Sequence, residues 1–117
     1  KAFSANYNLA SAAGTVDYTG VGFQPTACVI YTCREGAAGL SSIGFLDSSG
    51  GGYGIADYHN VVANGHAANG VNEIGFYGTS GNHVLGNTTF ISDGVRVVWT
   101  KNGSLSGTAG LIFLCLK

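Results

Sequence analysis

Apolar and polar residues alternate along most of this chain with a period of two, the signature of strands half buried against a core. Phe3, Ala5, Tyr7 and Leu9 alternate with Ala2, Ser4, Asn6 and Asn8. Thr15 to Thr19, Thr26 to Cys33, Leu40 to Leu46, Gly52 to Tyr58, Asn72 to Tyr77, His83 to Ser92, Val95 to Thr100 and Thr108 to Leu116 read as further strands. Helical periodicity is confined to Leu9 to Ala13, and Gly14 ends it. Turn residues separate the strands: Asp47-Ser48-Ser49-Gly50-Gly51, Gly78-Thr79-Ser80-Gly81 and Asn102-Gly103. Asp93-Gly94 is the clearest hairpin signal, suited to a type I′ turn between the strands on either side. Val61 to Val71 holds Asn64-Gly65 and Asn69-Gly70 and reads as a long exposed loop. Eight or nine short strands without a helix predict a single antiparallel β-sandwich over residues 1–117, in a jelly-roll-like arrangement.

The alternation also nominates a core: Phe23, Val29, Tyr31, Phe45, Ile55, Phe76, Phe90, Val97, Trp99, Ile112 and Leu114. A one-residue slip in any strand would turn its whole set to the other side. Leu111 to Leu116 is apolar at every position, which suits a strand covered on both faces. With Ile112, Leu114 and Leu116 facing the core, Leu111, Phe113 and Cys115 become an outer apolar row and the candidate contact between subunits.

Composition sharpens this picture. Of 117 residues, 20 are Gly and only 9% are charged, with a net charge of −1. Five Lys and Arg, two of them terminal, build no basic patch, so nucleic acid is not an expected partner. The longest apolar run falls far short of the ~20 residues of a membrane-spanning helix. No basic segment followed by an apolar one opens the chain, so no signal-peptide pattern is visible.

Chemistry is sparse. Cys28 and Cys33 lie five residues apart on one strand and point to opposite faces, and no close ligand pair marks a zinc site. The three cysteines read as buried, slow-reacting free thiols, in keeping with folding in a cytoplasm. Asp57 and His59 share a face, with His66 nearby, too few ligands for a metal site. Neither a G-x-S-x-G elbow nor a convincing carboxylate pair is present, so no enzyme and no cofactor is expected. Gly50 to Gly54 lacks the Lys and Ser/Thr of a phosphate loop and reads as a turn entering a strand that runs close to another backbone. Tyr58, His59, Asn60, Asn64, His66 and Asn69 form a polar segment able to stack on and hydrogen-bond a sugar, the candidate ligand loop.

Three fragments carry a resemblance. Tyr18-Thr19-Gly20-Val21-Gly22-Phe23-Gln24-Pro25 precedes an apolar strand, Gly44-Phe45-Leu46-Asp47 follows, and Phe90 to Thr100 with Asp93-Gly94 and Trp99 precedes the last apolar strand. Together they resemble small β-rich virion proteins of tailed bacteriophages. A fainter likeness is to trimeric H-type lectins. Unlike phage spikes, this chain has no repeat and no trimerising stalk. The resemblance implies a head decoration or cement protein, assembled in the host cytoplasm, binding the major capsid protein and itself as a homotrimer. Its alternative is a tail-fibre or spike module that binds surface glycan.

Overall fold

The computed structural model describes residues 1–35, 40–59, 64–69, 72–78 and 81–117, with backbone only at 58–59 and 64–69. Among them are ten strands: β1 (Ala2–Asn8), β2 (Gly14–Thr19), β3 (Ala27–Arg34), β4 (Ser41–Asp47), β5 (Gly52–His59), β6 (Asn64–Asn69), β7 (Ile74–Tyr77), β8 (His83–Ile91), β9 (Gly94–Asn102) and β10 (Thr108–Leu116). The hydrogen-bonded path runs β1-β10-β3-β4-β5-β7-β8-β9-β2, with β6 added to β5. It doubles over where β5 meets β7 in a single parallel pair, Tyr58 with Tyr77. Two sheets therefore face each other, β1-β10-β3-β4-β5 and β7-β8-β9-β2, and the all-β sandwich is as the alternation predicts.

The pairs β1·β10 and β2·β9 wind the two ends of the chain together, as a jelly roll does. The middle departs from that plan. β3, β4 and β5 form one antiparallel meander, and β7, β8 and β9 another. β6 corrects the loop expected at Val61 to Val71: Asn64 to Asn69 pair with β5 from His59 to Gly54, so Asn64-Gly65 sits inside a ladder. The β8–β9 hairpin turns one residue earlier than expected, over Ser92 and Asp93, because Gly94 already pairs with Ile91.

Aromatic rings bridge the sheets. Tyr7 stacks on Trp99 with centroids 3.9 Å apart, and Tyr18 of β2 meets Phe113 of β10 at 5.1 Å. Phe76, Val97 and Trp99 are buried as expected, and Phe23 and Phe90 pack partly against the core. The remaining nominations are overturned. Tyr31, Phe45, Ile55, Ile112 and Leu114 are exposed and Val29 is half-buried, while Cys28, Ile30, Leu46, Leu111, Phe113 and Cys115 fill the interior.

The reason lies on the inner side of β4 and β5, which carries Gly44, Gly52, Gly54 and Ala56. Residues 72–74 run directly over it. A Cβ at Gly44 would overlap the carbonyl oxygen of Glu73, one at Gly52 would overlap the Glu73 carboxylate, and one at Gly54 would lie 2.7 Å from the Asn72 carbonyl. Only hydrogen fits there, so, Leu46 apart, the large side chains of these strands must point the other way. Register then carries the same parity across β3 and β10, since paired residues share a side of the sheet. The close approach expected for the Gly-rich strand is thus real, and it fixes which face is inside.

Two polar ties hold the arrangement. The buried hydroxyls of Thr32 and Ser42 lie 2.7 Å apart, and Ser42 Oγ accepts the N–H of Gly75 at 3.1 Å, joining β3 and β4 to β7. Asp93 accepts the N–H groups of Gly20 and Gly22 on its carboxylate and that of Val21 on its carbonyl. The two longest fragments behind the virion resemblance therefore grip each other, which gives both a structural explanation.

Candidate functional site

Turning the large residues of β4 and β5 outward creates a surface feature. Two cross-strand rows run over the outside of the β1-β10-β3-β4-β5 sheet. One is Ser4–Ile112–Tyr31–Ile43–Ile55, the other Ala2–Leu114–Val29–Phe45–Tyr53. Leu116 extends the face beside Ala27. Tyr53 is 69% exposed, Ile55 and Ile112 51%, Phe45 and Leu116 50%, with Tyr31, Leu114 and Ile43 somewhat less. Together they leave roughly 700 Å² of mostly apolar side chain in water, above the ~300–600 Å² of the largest patch on a typical monomer. No charged side chain interrupts either row. A hollow of about 290 Å³ between Val29, Phe45, Tyr53 and Leu116, with Asp47 on its wall, gives the face relief.

A second feature is a cleft of about 480 Å³ at one end of the sandwich, lined by Gln24, Asp47, Asn87, Thr89 and Phe90, with Glu73 at its base. Glu73 is 2% exposed, and its Oε2 accepts the backbone N–H of Thr88 at 2.7 Å. Burial pushes its carboxyl above the usual carboxylate range, against the pull of that hydrogen bond. Asp47 is committed to its own turn, accepting from the Ser49 hydroxyl and from the N–H groups of Ser49 and Gly51, and these bonds, the hydroxyl's first, hold its carboxyl below the ordinary range.

The residues nominated from the sequence fall elsewhere. Leu111, Phe113 and Cys115, expected at a subunit contact, are core residues, with Phe113 between the rings of Phe3 and Tyr18. Tyr58 and His59 lie on β5 and Asn64, His66 and Asn69 on β6, where backbone register sets His59 opposite Asn64 and Asp57 opposite His66. Asn60 lies outside the described residues. Asp57 accepts a hydrogen bond from Ser41 Oγ at 2.7 Å. Among the described residues no cluster of metal ligands is present.

The thiols differ from one another. Cys28 and Cys115 are buried partners in the β3–β10 register with sulfurs 3.5 Å apart, and burial raises both thiols, that of Cys28 well above its ordinary range. Cys33 is exposed, correcting the expectation that all three are buried, though its opposition to Cys28 across the sheet is as predicted.

Sequence reasoning singled out neither Ile43 nor Tyr53, and it placed Val29, Tyr31, Phe45, Ile55, Ile112 and Leu114 inside. A usable signal was present: in Gly52-Tyr53-Gly54-Ile55-Ala56 one parity is all small and the other all large. Comparison of the chain with known protein families, with curated proteins and with solved structures finds no match.

Proposed function

We propose that this chain is a non-catalytic structural protein of a tailed-phage virion, a capsid-decoration subunit that forms a homotrimer and rests on the major capsid protein. The observation that carries the assembly reading is the apolar face of β10, β3, β4 and β5, whose two central rows hold no charged residue. A face of this size is the amount each partner contributes to a standard protein interface, ~800 Å². The virion assignment rests on the resemblance of Tyr18 to Pro25, Gly44 to Asp47 and Phe90 to Thr100. Densitometry of purified particles tests it: a decoration subunit is present in hundreds of copies, a fibre component in few, and absence from particles sinks the virion reading.

The end cleft favours a second reading, a tail-fibre module that binds surface glycan. Gln24, Asn87 and Thr89 line the cleft together with Phe90, polar residue types and a ring of the kind that pair with and stack on a sugar. A glycan array showing binding that Asn87→Ala removes would favour this reading, and an array without a binder would count against it.

A further inference from the structure

We infer that the outer face of β10, β3, β4 and β5 is the contact between copies of this chain, so that its occupant is a second copy. The inference deepens the assembly reading above by naming the partner, and it does not depend on where the assembly resides.

Three observations select a second copy. The first is area. Roughly 700 Å² per chain is close to the ~800 Å² each partner buries in a stable complex of standard size. The second is the absence of charge from both rows, from Ile112 to Ile55 and from Leu114 to Tyr53. The charge nearest them, Asp47 at the end of the Leu116–Ala27 row and on the wall of the hollow, is engaged by its own turn, so the face offers little for the charge-selected recognition of another kind of partner. An uncharged apolar face is complementary to itself, and closed symmetry buries the same patch on every copy. The third is relief. Tyr53, the most exposed large apolar residue of the face, stands at the rim of the 290 Å³ hollow it shares with Val29, Phe45 and Leu116. A face that carries both a projecting ring and a hollow can supply knob and socket to another copy of itself.

β10 supports the inference from the sequence side. Its six residues Leu111 to Leu116 are apolar at both parities, the pattern of a strand covered on both sides. The sandwich interior covers Leu111, Phe113 and Cys115. A second copy would cover Ile112, Leu114 and Leu116.

The test is sedimentation equilibrium of the wild-type chain at tens of micromolar. A dimer or trimer of the 11.9 kDa chain is the expected result. Phe45→Asp and Tyr53→Asp, each checked for native fold by circular dichroism, should weaken association at least about tenfold. Tyr53→Asp keeps the test decisive if Phe45→Asp does not fold, because its side chain is the most exposed of the set. Val98→Asp, on the outside of the opposite sheet, should leave the sedimentation unchanged. A wild-type chain that stays monomeric, or an oligomer that both outer-row variants leave intact, overturns the inference. Particle copy number is a separate measurement: an oligomer absent from virions defeats the virion reading alone, and a monomer abundant in virions defeats the self-contact alone.

Discussion

On the outside of β2, β9 and β8, Arg96 stands between Asp17 and Thr89, and Val98 between Thr15 and Asn87. The Arg96 guanidinium forks onto the Asp17 carboxylate at 2.6 and 2.7 Å. On the outside of the other sheet the corresponding positions hold Ile112, Tyr31, Ile43 and Ile55 in one row and Leu114, Val29, Phe45 and Tyr53 in the next. The two sheets share a core and a pleat, yet one outer face reads as solvent and the other as interior. An antiparallel sheet with one wet side shows apolar and polar residues in strict alternation, and β2 and β9 largely conform. β3, β4, β5 and β10 do not, because their outward parity is filled with the residue types used inside. The difference shows that a strand's partners must be counted on both sides before its alternation is interpreted.

The strongest challenge to this contrast compares adjacent residues of β10. Phe113→Asp buries a carboxylate in the ring cluster and should remove about 5 kcal/mol or more, comparable to the whole stability of such a domain. Ile112→Asp, one residue away, should leave a folded chain. Thermal melts by circular dichroism decide it, and the reverse outcome would mean that the faces are exchanged. Next in size is the glycine floor. Gly44→Ala should destabilise by about 1–3 kcal/mol in urea titration, since the new methyl group overlaps the Glu73 carbonyl. Gly14→Ala, with open space around its Cβ position, should change little. Equal effects at the two sites would remove the reason given for the inverted parity.

A smaller effect is expected at Glu73. Burial raises its folded-state pKa above the unfolded value, so the folded chain favours the protonated carboxyl. Its contribution is fully present below the unfolded pKa and is lost as pH rises through the folded one. Glu73→Gln should therefore raise the melting temperature at neutral pH, leave it nearly unchanged at pH ~4, and flatten the profile between. A variant that is less stable at neutral pH would show that the charged form is the one the cleft needs. The smallest effect belongs to the wet face. Asp17 is held below its usual range by Arg96, so its contribution is present above the normal carboxylate range and fades as pH falls. Asp17→Asn should move the midpoint only marginally, and salt should erase the difference.

Much of the architecture was legible in the chain. Alternation located every described strand except β6, and Asp93-Gly94 marked the hairpin to within one residue. The glycines at 52 and 54 announced a close backbone. Inside and outside were less legible. Phe45 and Ile55 look like core residues because they are large, but the decision is made by residues 72–74, remote in sequence, which cross β4 and β5 at a distance only glycine tolerates. The same parity error, carried through register, exchanged Leu111, Phe113 and Cys115 with Ile112, Leu114 and Leu116. β6 escaped notice because Asn64-Gly65 and Asn69-Gly70 resemble turns, whereas ladder pairing with β5 overrides that local preference. The apolar face was thus present in the sequence as a set of residues and was assigned to the wrong side.

The winding of the strands has a consequence for synthesis. Among the described residues, β1 pairs only with β10 and β2 only with β9. The first two strands to leave a ribosome therefore wait for the last two. The Asp93 grip on Gly20 to Gly22 likewise cannot form until most of the chain has emerged. Among the described residues, the two meanders, with β6 added to β5, are the units that can begin locally, and the loop closures that join them come late, as expected for a topology dominated by distant pairings. Until β10 arrives, β3 offers an open apolar edge on both of its sides' worth of side chains. The nine residues of β10 thus act as the closing seam of the fold, and the interval before they dock is when a nascent chain of this kind is most open to pairing with the wrong neighbour.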